Sequence, residues 1–389
     1  MLRILSLSLL LCLSSFAVSQ NSAPAASIAP IQVVYVVDGT TILTYDVDPQ
    51  TLNSTPVGTP RTVKTASTFV TLIPAAHDHF LYFVAYDANL KEHLWVYKTD
   101  ATGAPMAPAT QEINATGFAG IQTDPHAPYA YAVFAKPDSS FMDDYYIRRY
   151  LINPATGALS QPKAVARYVL SNGAEGTTSC YLELYGFNPS ATTLYDAVGC
   201  SGHDGGGITY SQRSLNPQDG SLGPDAQIYS WTNGNQGHEN VEFVNNLMFD
   251  FVTPNGFQQG VNNVNIDPLV PNTSQQLVHC DPTMLEACGY SGGVAHPSGK
   301  YVFMQIAPDS IQIDQVELSQ KKIVGTGSYI PYRFAQFSPH GSLVYSTQAF
   351  TLTYGIEIYG FDVTTGAVTP GGEILPPSNM DSFYVAERD

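Results

Sequence analysis

The chain has 389 residues, of which 44% are hydrophobic and 13% are charged, and its formal net charge is -17. With only 16 Lys and Arg residues to neutralise phosphates, the composition argues against nucleic acid and anionic membrane surfaces as partners. The hydrophobic share is ample for a large core, and a barrel or propeller of this length can form one domain.

The N-terminal residues predict an export signal. Arg3 supplies a positive charge, Ile4 to Leu13 form a short apolar run, and Ala17-Val18-Ser19 is a small-x-small cleavage pattern. The apolar run is too short to span a bilayer, and no later segment has 18 consecutive apolar residues. We therefore predict a signal peptide over residues 1–19 and a flexible lead-in over 20–30. The mature chain is expected to be periplasmic or extracellular, with no membrane span.

A strand-like segment with a central aromatic residue recurs seven times after the lead-in. The copies read VVYVV, FLYFV, YAYAV, TLYDA, LMFDF, YVFMQ and LVYST. Their aligned aromatic residues are Tyr35, Tyr82, Tyr131, Tyr195, Phe249, Phe303 and Tyr345. The spacing varies from 42 residues (Phe303 to Tyr345) to 64 residues (Tyr131 to Tyr195).

Each copy is followed by a hairpin pattern, such as YLINPATGALSQP (150–162) and FDVTTGAVTPG (361–371). A repeat of this size with three or four short strands predicts an all-β, seven-bladed β-propeller. One propeller domain would cover residues 31–389. The first copy begins with its second strand near Ile31, so we expect the C-terminal segment DSFYVAE (381–387) to supply its inner strand and close the ring.

Four cysteines follow the predicted cleavage site, and an even number in an exported chain favours disulfides. Three pairings are possible. We favour Cys180–Cys200, across two neighbouring strands, and Cys280–Cys288, which would close a short loop. Zinc binding is the competing interpretation, but the spacings contain no C-x2-C unit.

With this repeat, the chain resembles the lactonase-type seven-bladed propellers, which include 6-phosphogluconolactonase and carboxymuconate cyclase. The resemblance rests on FDVTTGAVT, YLINPATGALS and RFAQFSPHGSLVYS (333–346), and it covers most of residues 31–389. It implies the propeller fold. For family members with enzyme activity, it implies Arg, His and Glu groups at one mouth of the central channel.

Arg333 is the best match to a family feature, because it lies four residues before Phe337 and six before Pro339, like the family's Arg-x3-apolar-x-Pro inner strand. The same offset in the other repeats defines a set of positions that we call the slots. The slots hold Thr68, Ala119, Glu183, Glu239, Ser291 and Arg333. They are expected to begin the inner strands around the channel, with His238 beside Glu239.

The slots suggest roles for named residues. Arg333 could hold a ligand carboxylate through two hydrogen bonds. Glu183, Glu239 or His238 could move protons. Thr68 and Ser291 would contribute to binding. The adjacent Arg-His pair of the family's PRH pattern is absent from every slot.

Three functional hypotheses follow. The first is a secreted propeller that binds a small organic acid, a sugar derivative or a protein partner at the channel mouth. The second is a lactone hydrolase or cyclase that uses the same residues. The third is a surface interaction module without a small-molecule site. We expect a monomer and no cofactor; Ca2+ is the ion that Asp-bearing turns such as MDDYY (142–146) could hold.

Overall fold

The computed structural model describes most of the chain after the predicted lead-in. The described residues are 30–63, 66–74, 79–137, 142–172, 179–188, 190–201, 207–231, 237–244, 247–253, 260–265, 275–276, 293–307, 310–317, 319, 322–331, 334–347, 355–376 and 380–388. Over these residues the fold is all-β, without a helix. The described part of the chain therefore contains no helix long and apolar enough to cross a membrane.

The strands are mostly short and rich in Val, Ile, Tyr and Phe, as the composition predicts. In chain order they are β1 (Ile31–Asp38), β2 (Thr41–Val47), β3 (Ser54–Pro56), β4 (Arg61–Thr62), β5 (Ala66–Pro74), β6 (Phe80–Asp87), β7 (Glu92–Lys98), β8 (Gln111–Asn114), β9 (Phe118–Thr123), β10 (Tyr129–Pro137), β11 (Met142–Ile152), β12 (Leu159–Ser171), β13 (Ser179–Phe187), β14 (Thr193–Ser201), β15 (Gly207–Ser214), β16 (Ala226–Trp231), β17 (Gly237–Val244), β18 (Leu247–Thr253), β19 (Gly260–Asn265), β20 (Gln275–Gln276), β21 (Gly293–Ala295), β22 (Tyr301–Ala307), β23 (Ser310–Glu317), β24 (Lys322–Pro331), β25 (Phe334–Phe337), β26 (Leu343–Thr347), β27 (Ile356–Asp362), β28 (Ala367–Ile374) and β29 (Ser382–Arg388).

These strands form antiparallel sheets arranged as in a β-propeller. Six sheets have four strands in simple chain order: β5–β8, β9–β12, β13–β16, β17–β20, β21–β24 and β25–β28. In each of them the aromatic repeat is the second strand, and the hairpin pattern joins the third and fourth strands. The connection from the first strand to the second and the connection from the third strand to the fourth lie at the same end of each sheet, which we call the turn end. The opposite end, where the second strand connects to the third, is the loop end.

The remaining sheet combines the two ends of the described chain, in the order β29-β1-β2-β3, with β4 also paired to β2. The register places Phe383 of β29 opposite Val36 of β1, and Ala386 opposite Val33. Phe383 is buried in an apolar cluster together with Val36 and Tyr345. The C-terminal segment is therefore the first strand of the sheet that begins with β1.

The apolar core lies between the sheets rather than at one centre. Side chains from the two faces of neighbouring sheets form separate clusters, such as the one that joins Tyr82 and Val96 to Ile121 and Tyr150. Each such cluster connects consecutive sheets, and one of them connects the first sheet to the sheet β25–β28. Every sheet thus buries both faces, which a single four-stranded sheet cannot do alone.

The repeated tyrosine and the repeated hairpin glycine interact across neighbouring sheets. In three repeats the buried tyrosine hydroxyl donates to a turn carbonyl of the next sheet. These bonds are Tyr35 to Gly103 O at 2.9 Å, Tyr82 to Gly157 O at 3.0 Å and Tyr131 to Gly220 O at 2.9 Å. Because the three glycines have φ values of 81°, 69° and 64°, the turn favours a residue without a Cβ. The hairpin motif therefore serves docking between sheets as well as chain reversal.

A buried ionic network adds to this docking near the turn end of β15. Arg213 Nε donates to Asp196 Oδ2 at 2.9 Å, and the Tyr168 hydroxyl donates to Asp196 Oδ1 at 2.9 Å. Arg213 Nη2 also bonds to the Tyr168 hydroxyl, and it lies 3.6 Å from Asp225 Oδ1. Burial raises the pKa of Asp196, and the donors Arg213 and Tyr168 oppose that rise. The network ties β12 to the following sheet.

Polar side chains also close the turns that introduce the second strands. His296 is fully buried; its Nε2 donates to Gly341 O at 2.8 Å, and its Nδ1 accepts from Ser298 N at 3.0 Å. These partners fit a neutral ring protonated at Nε2, and burial lowers the pKa of His296. In the next sheet, Ser338 Oγ accepts from Leu343 N at 3.0 Å.

Candidate functional site

Four of the six slot residues lie on described first strands, three of them near the loop end and Glu183 in the middle of its strand. Thr68 is in β5, Ala119 in β9, Glu183 in β13 and Glu239 in β17. Each of these strands pairs with one neighbour only, so its other edge is open. Ser291 and Arg333 lie outside the described residues, at chain positions just before β21 and β25. The side chains of Thr68, His238 and Glu239 also lie outside the described part of the chain.

Two of the slots coincide with β-bulges. In β17, His238 is opposite Val252 and Asn240 is opposite Phe251, so Glu239 is the extra residue. In β9, Ala119 has the same position between Phe118 and Gly120. A bulge bends the strand and changes the direction of the extra residue, and bulges are common next to binding sites. The sequence offset located these positions, but it gave no sign of the bulges.

Glu183 is the slot residue whose side chain the structure describes in detail. It is exposed in the middle of β13, and its Oε2 accepts a hydrogen bond from the Tyr185 hydroxyl at 2.7 Å. Tyr185 is held in turn by Phe243 of β17, with ring centroids 5.7 Å apart. The carboxylate of Glu183 is therefore anchored by the packing between two sheets while it remains in contact with solvent.

Tyr181 is a neighbour of Glu183 that the sequence reasoning missed. It is 41% exposed, whereas Tyr195 and Tyr210 of the same sheet are buried. Its ring lies over Gly199 of β14, where an added Cβ would be only 2.6 Å from Tyr181 Cζ. Burial, and then the charge of Glu183, raise the pKa of the Tyr181 hydroxyl. The Tyr-x-Glu-x-Tyr spacing in CYLELYGF was the available signal.

The predicted disulfide Cys180–Cys200 is confirmed. The two residues are opposite each other on β13 and β14, and the bond fixes the loop end of the inner strand to its neighbour. The Tyr145 hydroxyl donates to Cys180 O at 3.4 Å, which connects this point to the preceding sheet. Cys280 and Cys288 lie outside the described residues, so their predicted pairing stays a prediction.

The described part of the chain contains no candidate metal-binding site. No group of three or more His, Cys, Asp or Glu side chains is arranged there to hold an ion. The zinc interpretation of Cys180 and Cys200 is excluded by their disulfide. The expectation of no cofactor, and the alternative of Ca2+, stay predictions.

The fold is that of the lactonase-type β-propellers. No family model matches the sequence, and no curated protein matches it either. Among solved structures, a candidate 6-phosphogluconolactonase from Bacteroides uniformis has a TM-score of 0.59 and 13% identity, over 92% of this chain and 99% of its own.

Two further structures are similar over the same extent. A candidate 6-phosphogluconolactonase from Bacteroides fragilis has a TM-score of 0.60 and 14% identity, over 93% of this chain and 99% of its own. A protein from Lactobacillus plantarum has a TM-score of 0.61 and 14% identity, over 92% of this chain and 100% of its own. At this level of identity the likeness establishes the fold alone, because one propeller fold serves many functions.

Proposed function

We propose that the seven sheets are the blades of one closed β-propeller. The proposal is supported by the apolar clusters between consecutive sheets and by the cluster that links the first sheet to the last. It is also supported by the pairing of β29 with β1. In such a ring the first strand of every sheet borders a central channel, and the loop ends of those strands surround one mouth.

This mouth is the proposed ligand site, and its ligand is a small organic acid or a sugar derivative. One observation carries the proposal: the slots fall on, or directly before, the first strands of six sheets. Channel closure would bring them to one rim, with polar or charged residues in five of the six. Binding sites are common where loops from a rigid scaffold converge. A protein partner that inserts an acidic side chain would meet the same groups.

Within this proposal five of the six slots, and His238 beside Glu239, have chemical roles. Arg333 holds the ligand carboxylate, because a guanidinium presents two parallel donors that match a carboxylate. Thr68 and Ser291 offer hydroxyls to the ligand. Glu183, Glu239 and His238 line the other part of the rim and can accept protons or hydroxyl hydrogens.

Hydrolysis of a lactone is the second candidate function, and the structural neighbours favour it. Two of them are described as candidate 6-phosphogluconolactonases. In this reaction a water molecule attacks the lactone carbonyl carbon, and Glu183, Glu239 or His238 takes its proton. The ring C–O bond then breaks, and the leaving oxygen receives a proton. The product is a hydroxy acid whose carboxylate fits Arg333. A cyclase of the carboxymuconate type would instead add a substrate carboxylate oxygen to a carbon–carbon double bond, and one of the same groups would give a proton to the neighbouring carbon.

Export to the periplasm or the cell exterior is part of the proposal. Its supports are the signal-like residues 1–19 and the Cys180–Cys200 disulfide, since such bonds persist mainly in oxidising compartments. Secretion and the monomeric state both stay proposals.

The test uses the mature chain, residues 20–389, with gluconate and glucono-δ-lactone as probes. Calorimetry should show gluconate binding that Arg333→Ala weakens by about tenfold to a hundredfold, as expected for lost charge-assisted hydrogen bonds. Arg61→Ala, in the outer strand β4, is the matched control and should bind like the native protein. Acid release from the lactone, lost in Arg333→Ala, would establish the hydrolase. Equal gluconate binding by Arg333→Ala would overturn the assigned mouth.

A further inference from the structure

One face of β13 combines an exposed aromatic ring with an anchored carboxylate. Leu182 is buried, and both Leu182 and Leu184 pack into the cluster shared with the preceding sheet. Since side chains alternate along a strand, Tyr181 and Glu183 point to the opposite side, toward the sheet that contains β17. We call this surface the Tyr181–Glu183 face.

The tyrosine ring of this face is fixed by the strand beside it. Tyr181 is opposite Gly199 in the β13–β14 register, and its ring occupies the space that a Cβ of Gly199 would need. The ring therefore lies against the backbone of β14 on one side. Its 41% exposure leaves the other side open to solvent. The disulfide one residue away, between Cys180 and Cys200, holds the two strands together at this level.

The carboxylate beside this ring is held in place but not neutralised. Glu183 Oε2 accepts from the Tyr185 hydroxyl at 2.7 Å. Among the described residues, no lysine, arginine or histidine side chain forms an ion pair with Glu183. The carboxylate and the open aromatic ring beside it both attract a cation: the carboxylate through its negative charge, and the ring through the partial negative charge of its face.

We propose that the Tyr181–Glu183 face binds the ammonium group of a small cationic ligand. The inference rests on the proposed function, because it is the closed ring that makes this face part of a mouth. The negative charge of Glu183, and the slot Glu239 on the next inner strand, would repel a carboxylate. The face is thus complementary in charge to the proposed carboxylate site at Arg333. The net charge of -17 further concentrates cations at the protein surface.

The experiment compares choline with 3,3-dimethylbutan-1-ol, its uncharged isostere of nearly the same shape. Both are titrated into mature protein (residues 20–389) by calorimetry at low and high salt. We expect choline to bind at least tenfold more tightly than the isostere, and more weakly at high salt. Tyr181→Ala and Glu183→Gln should each weaken choline binding about fivefold to thirtyfold. Tyr181→Phe, which keeps the ring, should retain most of the affinity.

Matched controls exclude a general surface effect. Tyr329→Ala removes a 52% exposed tyrosine from β24, and Glu373→Gln neutralises an exposed glutamate of β28. Both should bind choline like the native protein, and thermal unfolding shows whether every variant is folded. Equal binding of choline and its isostere, or unchanged choline binding by folded Tyr181→Ala and Glu183→Gln, would overturn the inference.

Gluconate titrated into the same samples separates the two proposals. If gluconate binds through Arg333 while choline does not bind, the proposed carboxylate site is supported and the proposed ammonium site is wrong. If neither probe binds, both proposals are wrong.

Discussion

The docking groups at the turn end and the Tyr181–Glu183 face use their polar groups in opposite ways. At the turn end, tyrosine hydroxyls, a buried histidine and the Asp196–Arg213 pair are hydrogen-bonded inside the protein. Toward the loop end, Tyr181 and Glu183 face solvent, and bulges interrupt the inner strands at Ala119 and Glu239. The difference indicates that the turn-end groups stabilise the packing of neighbouring sheets, whereas the Tyr181–Glu183 face leaves polar groups exposed to solvent.

Removing Arg213 should have the largest effect at a single position. Arg213→Met leaves the buried Asp196 carboxylate without its cation, so we expect a loss of about 3–5 kcal/mol in the free energy of unfolding. Lys163→Met, at an exposed position of β12, is the control and should change that free energy by less than about 0.5 kcal/mol. Urea denaturation measures both. A similar small loss for the two variants would show that the turn-end network contributes little.

A methyl group added to a hairpin glycine should have the next largest effect. A Cβ at Gly157 would lie 2.4 Å from Phe80 Cδ1, and the residue has a φ of 69°. We expect Gly157→Ala to lower the free energy of unfolding by about 2–4 kcal/mol, through crowding and backbone strain. Gly39→Ala separates the two causes.

The control works because Gly39 also has a positive φ, of 56°, but nothing lies within 4 Å of its added Cβ. It should therefore lose only about 1 kcal/mol. Equal losses for Gly157→Ala and Gly39→Ala in the same denaturation experiment would contradict the docking role of the hairpin.

The pH dependence of stability tests the buried histidine. Burial lowers the pKa of His296 in the folded state below that of the unfolded chain, so the unfolded chain binds more protons in the window between them. Stability should therefore fall as the pH drops below about 6.5, by up to about 1.4 kcal/mol per pH unit from this group. The fall ends below the folded-state pKa.

Two variants test whether His296 causes this pH dependence of the free energy of unfolding. His296→Gln should remove its contribution, whereas His340→Gln, at a side chain that is 76% exposed, should retain it. Urea denaturation between pH 7.5 and pH 5 provides the measurement. An unchanged slope in His296→Gln would mean that another group is responsible.

Neutralising the exposed carboxylate of Glu183 should have the smallest effect on stability. Glu183 is exposed, and Glu183→Gln keeps an oxygen that can accept from Tyr185. We expect the free energy of unfolding to change by less than about 0.5 kcal/mol, in contrast to the turn-end variants. A loss above 2 kcal/mol would make Glu183 a structural residue and would weaken its assignment to a ligand site.

The sequence could predict those features that local residue patterns mark. The second strands and outer hairpins were predictable because local signals mark them: alternating aromatic residues, Pro turns, and turn glycines such as Gly157. The Cys180–Cys200 pair was predictable because both residues fall on adjacent strands of one repeat. The slots were found only by applying one offset to all repeats.

Other features of the site depend on contacts that no local pattern encodes. The bulge at Glu239 results from how β17 pairs with β18, and its sequence resembles that of a regular strand. The exposure of Tyr181 depends on Gly199 of the next strand, which leaves room for the ring. Tyr168, Asp196 and Arg213 come from three strands, so their network follows from packing alone.

The central claim is that the last strand closes the ring and so brings the loop ends together around one mouth. The most direct measurement is urea unfolding of residues 30–380, which lack β29, beside residues 30–388. We predict that the longer chain unfolds in one cooperative transition and that the shorter chain does not, because removal of β29 exposes the core around Phe383 and the edge of β1. Equal stability of the two chains would contradict closure and the mouth built on it.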